Sequence, residues 1–101
     1  MKIYNTFEEK TMDLAEDIVY LYSDFDWYDF ADTYGEVDGS DFSGAITDMY
    51  SMLVNDTSTV ISDLGDIIEE LEYDLESYGD DPDTESMLDR AIQLRKRVES
   101  L

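Results

Sequence analysis

The run "VISDLGDIIEELEYDLESY", residues 60–78, places apolar side chains at Val60, Leu64, Ile67, Leu71, Leu75 and Tyr78. Every step along it is three or four residues, the spacing that collects side chains on one face of an α-helix, whereas a strand repeats every second residue. Upstream the same spacing holds at Phe42, Ile46, Met49 and Leu53. Between the two halves, "NDTST" at 55–59 is rich in cap formers and poor in helix formers, so a break is expected there.

The pattern extends in both directions. Towards the start, Phe7, Leu14, Ile18, Leu21 and Phe25 form a stripe, with Thr11 filling its one gap, and Thr6 followed by Glu9 supplies a capping box. A first helix from about Phe7 to Ser23 is expected. Asp26 can then cap a short helix whose apolar face is Trp27, Phe30, Ala31 and Tyr34, closed by Gly35, before the loop "GEVDGSD" at 35–41. Towards the end, "YGDDPDTES" at 78–86 supplies Gly79 as a stop and Pro82 as a first-turn residue. Met87, Ala91, Leu94, Val98 and Leu101 make the last stripe. Period-two alternation is never sustained. The expected fold is all-α, a compact bundle of four to five helices.

At 101 residues the chain is the size of one compact domain, and 43% hydrophobic with 13% aromatic residues gives it a core to bury. The charge is extreme: 27 acidic against six basic residues, a formal net charge of −21. The basic residues are Lys2, Lys10, Arg90, Arg95, Lys96 and Arg97, so no cation stands between Thr11 and Asp89, and all acids but Glu8, Glu9 and Glu99 lie in that span. Arg90, Arg95, Lys96 and Arg97 are therefore the place where internal ion pairs can relieve the acidic field, a structural role.

Cysteine and histidine are both absent, which removes disulfides, Cys/His nucleophilic pairs, an imidazole base and the usual zinc ligands. No stretch approaches the roughly 18 apolar residues of a membrane span, and no apolar run follows Lys2. The expected compartment is the cytoplasm, with no membrane partner.

Carboxylates alone can hold hard cations, but "DTYGEVDGSDFSG" at 32–44 lacks the EF-hand spacing, and no metal or other cofactor is expected. Glu69 and Glu72 resemble half of the ExxE…ExxD box of all-α nucleotide pyrophosphohydrolases; downstream, Glu85 is followed by Leu88 where that box requires an acid. "SDLG" at 62–65 inverts the Asp-Ser-Leu of acyl carrier proteins. Nothing separates any two acids as an acid/base pair for glycoside hydrolysis. No enzymatic activity is expected.

The charge itself remains as the functional object. Duplex DNA carries one negative charge per roughly 1.7 Å of axis, and a compact chain of this length has a diameter of roughly 33 Å. That length of duplex holds about 20 charges, the size of the chain's own −21. Acids four apart on a helix are about 6 Å apart along its axis, close to the step between phosphates on one strand. Asp63, Asp66, Glu70 and Asp74 make such a row, and Asp13 with Asp17 another.

The segment "DFDWYDFADTYGEVDGSD" at 24–41 adds seven acids and five aromatics with no cation. Guanidinium groups pair with carboxylates and stack on aromatic rings, so this composition suits a partner surface of Arg and Lys. Trp27 and Phe30 are expected in the core, Tyr28 and the aspartates outside. The candidate partner-binding residues are Asp24, Asp26, Tyr28, Asp29, Asp32, Glu36, Asp38 and Asp41 here, with Asp63, Asp66, Glu70 and Asp74 on the long helix.

In size, charge, cation-free span and helix-borne acidic rows the chain resembles the phage-encoded DNA-mimic inhibitor proteins of the anti-CRISPR and anti-restriction type. The resemblance covers the whole chain in character and no single motif. It implies stoichiometric blocking of a basic DNA-binding protein or nuclease complex of a host defence system, in the cytoplasm of a bacterial host, with no direct nucleic-acid binding. Two alternatives stand beside it: an acidic helical adaptor or antitoxin that binds a basic protein, and a haloadapted domain whose acids hold a hydrated shell.

Overall fold

A computed structural model describes residues 7–26, 42–79 and 81–101. Four helices and no strand occur among them: α1 Phe7–Phe25, α2 Ser43–Asn55, α3 Thr57–Tyr78 and α4 Pro82–Glu99. The short helix expected after Asp26 and the cap at Thr6 lie outside the described residues.

Each boundary has a local cause. α1 continues two residues beyond the expected Ser23 because Phe25 still packs against the core, and the Asp26 N–H reaches the Tyr22 carbonyl at 3.1 Å. The break in "NDTST" falls on Asp56 alone. Its backbone N–H donates to the Met52 carbonyl at 2.7 Å, closing α2, while its carboxylate accepts from Thr59 N at 3.3 Å, Ser58 Oγ at 2.8 Å and Thr59 Oγ1 at 2.6 Å, opening α3. One residue thus satisfies the end of one helix and the start of the next. Gly79 stops α3 at φ 86°, ψ 179°, a conformation that only glycine adopts readily. Asp81 caps α4 by accepting from Asp83 N and Thr84 Oγ1, with Pro82 behind it in the first turn.

The apolar stripes meet in one cluster drawn from all four helices, including Leu14, Ile18 and Leu21 of α1, Met49 and Leu53 of α2, Val60 and Leu64 of α3, and Ala91, Leu94 and Val98 of α4. Thr11 is fully buried in the gap of the α1 stripe, and its hydroxyl is satisfied by donating to the Phe7 carbonyl at 2.7 Å. α3 packs along α4, α1 along α2, and contacts of α1 with α4 and of α2 with α3 close the arrangement. α3 and α4 run antiparallel, joined by residues 79–81. α1 and α4 are antiparallel too, since Arg90 pairs with Asp24 while Arg97 pairs with Asp17 and Asp13. The radius of gyration is 13.9 Å and the extents are 42 × 31 × 27 Å.

A candidate anionic docking face

The cations of α4 divide the acidic surface. Arg97 donates to Asp17 Oδ2 at 2.7 Å and to Asp13 Oδ2 at 3.4 Å; Arg90 donates to Asp24 Oδ2 at 2.9 Å. The Asp13–Asp17 row expected on the first helix is therefore tied to a guanidinium, and so is Asp24, one of the expected contact residues. The ion pair of Arg95 stays within its own helix, Nε 3.2 Å from Glu99 Oε1 without the alignment of a hydrogen bond. Its guanidinium also lies across Gly65, with Nη1 3.6 Å from where a Cβ would stand.

α3 is different. It carries Asp63, Asp66, Glu69, Glu70, Glu72, Asp74 and Glu76 and no basic residue, and none of these acids forms an ion pair among the described residues. At about 100° per residue, Gly65 lies on the flank of α3 that meets Arg95. Asp63, Glu70 and Asp74 lie on the opposite flank, out of reach of that cation. Asp63, Asp66 and Glu70 are exposed and Asp74 is half-buried, so the row expected from the spacing exists as a surface feature. Partial burial, then the neighbouring Asp66 charge, pushes the Asp63 carboxyl above the ordinary carboxylate range. Hydrogen bonds from the Thr59 side chain, the Ser58 side chain and the Thr59 backbone hold Asp56 below it.

Nine residues past Leu64, Tyr73 stands on the side of α3 directly away from the core, 63% exposed. Glu69, Glu70 and Glu76, each three or four residues away and exposed, surround it. The exposed aromatic expected from the sequence is Tyr28 and not Tyr73, although the same period that puts Leu64 in the core puts Tyr73 opposite it.

Of the other expected contact residues, Asp26 is exposed just beyond the end of α1. Tyr28, Asp29, Asp32, Glu36, Asp38 and Asp41 lie outside the described residues, as do Trp27 and Phe30. Among the described residues no three carboxylates converge to hold a metal ion. Glu69 and Glu72 are exposed on α3, while Leu88 of α4 packs against the core where the pyrophosphohydrolase box would need an acid. Leu64 of "SDLG" is buried in mid-helix. No described helix is long and apolar enough to cross a membrane.

No protein-family model, curated protein or solved structure matches the chain.

Proposed function

We propose that the chain is a DNA mimic that occupies the basic DNA-binding site of a host defence nuclease complex, first of all as an anti-CRISPR protein and otherwise as an anti-restriction protein. The observation that carries this is the division of charge. The arginines are paired with acids of α1 and α4, and none of the seven carboxylates of α3 forms an ion pair among the described residues. The 42 Å length of the molecule is that of a duplex segment bearing roughly 25 charges, against the formal −21 of the chain.

In this role a small helical bundle acts in the cytoplasm of the infected cell and breaks no bond. Opposite fields steer the encounter, so association is fast and weakens steeply as salt rises. The target's lysines and arginines exchange phosphates for carboxylates, and the duplex is shut out.

The test is competition on guide-loaded CRISPR effectors and on restriction enzymes, with labelled target duplex and increasing amounts of this protein. Mutual exclusion, relieved by excess duplex, is the expected result. Simultaneous occupancy of the nuclease by duplex and protein would overturn mimicry and leave the adaptor or antitoxin reading.

A further inference from the structure

The basic partner assumed here rests on the proposed function, and the structure narrows where and how it docks. We infer that the partner lies along the outward face of α3 and contributes an arginine that stacks on Tyr73. Two independent features of this helix converge on that occupant. One is charge complementarity: α3 bears seven acids and no cation, while Asp13, Asp17 and Asp24 of α1 already hold arginines.

The other feature is the ring. Tyr73 is 63% exposed, on the side of α3 away from the core, and has no ring or hydrogen-bond partner among the described residues. A phenol in that position presents its face to whatever lies on the helix. A planar guanidinium can cover the face and still direct its N–H groups at Glu69, Glu70 or Glu76; an ammonium is a point charge and cannot do both. The face thus discriminates arginine from lysine beyond what charge alone provides.

The experiment uses the full chain, isotopically labelled for amide NMR, titrated with deca-arginine and with deca-lysine at equal ionic strength. The largest shifts are expected at residues 69–77, with tighter binding of deca-arginine. Tyr73→Leu, which removes an exposed ring without touching the core, should weaken deca-arginine roughly 2–5-fold and deca-lysine by less. Glu70→Gln with Glu76→Gln should weaken both peptides, whereas Asp13→Asn with Asp17→Asn should weaken neither. Shifts centred on α1, or equal effects of Tyr73→Leu on the two peptides, would overturn the assignment. If the peptides behave as expected and duplex DNA still fails to exclude the protein from a nuclease, mimicry falls while the docking face stands.

Discussion

Arg97 of α4 reaches Asp17 of α1 at 2.7 Å and, through its other terminal nitrogen, Asp13 one turn earlier at 3.4 Å. Two like charges four residues apart on one helix repel; a single guanidinium between them turns that repulsion into a tie between helices distant in sequence. Arg90 and Arg97 thus tie α4 to α1 along their seam, and among the described residues no cation pairs with the acids of α3.

Arg97→Gln should therefore destabilise the protein by about 1–2 kcal/mol, kept modest because the pair is partly solvated. The loss should grow at low salt, where the freed Asp13 and Asp17 repel most. Arg95→Gln, which removes an exposed pair within one helix, should cost no more than about 0.5 kcal/mol. Urea unfolding at two ionic strengths separates the two variants, and equal losses would mean that the seam owes nothing to Arg97.

Asp56→Ala should destabilise the protein by uncapping α3, and the cost should depend on pH. Because hydrogen bonds hold the folded Asp56 carboxyl low, its contribution is full above the ordinary carboxylate value of about 3.9 and fades as pH falls through the lower folded value. Unfolding midpoints of the two proteins should accordingly converge in strong acid. A gap that persists there would assign the loss to something other than the ionised cap.

Asp63→Asn should act in the opposite sense. The folded carboxyl is raised by burial and by Asp66, so its ionised form is a burden at neutral pH that protonation lifts. The variant should be the more stable protein at pH 7, and its advantage should vanish as pH drops below about 3.9. A lower midpoint for the variant at pH 7 would show that Asp63 has a favourable partner.

The same substitution at two glycines should have opposite signs. Gly65→Ala adds a methyl at ordinary contact distance from Arg95 in mid-helix and should stabilise by up to about 1 kcal/mol through helix propensity. Gly79→Ala forces a side chain into φ 86° and should cost roughly 1–3 kcal/mol. Thermal melts of both variants decide the matter; a stabilised Gly79→Ala would contradict the backbone described at that turn.

Much of the helical organisation was legible because burial imposes a period. Leu14, Ile18 and Leu21, or Val60, Leu64 and Leu71, can share a core only at helical spacing, and Gly79 and Pro82 mark a boundary by backbone chemistry alone. The break near Asp56 was visible as a run of cap formers, but which residue would serve both helices depended on competing hydrogen bonds that composition does not rank. The acidic row of α3 was legible for the same reason as its apolar stripe. The fate of Asp13, Asp17 and Asp24 was not, because an ion pair across some 66 to 84 residues depends on how α1 and α4 align, a tertiary quantity with no local signature.

The order in which the helices leave the ribosome gives the α4 arginines a further consequence. α1, α2 and α3 are synthesised before α4, and between Phe7 and Tyr78 only Lys10 opposes their many carboxylates. Arg90 and Arg97, which knit α1 into the seam, are translated after all three. The nascent polypeptide should stay expanded until α4 clears the exit tunnel, so acquisition of the native state is expected to wait for α4 rather than to proceed helix by helix.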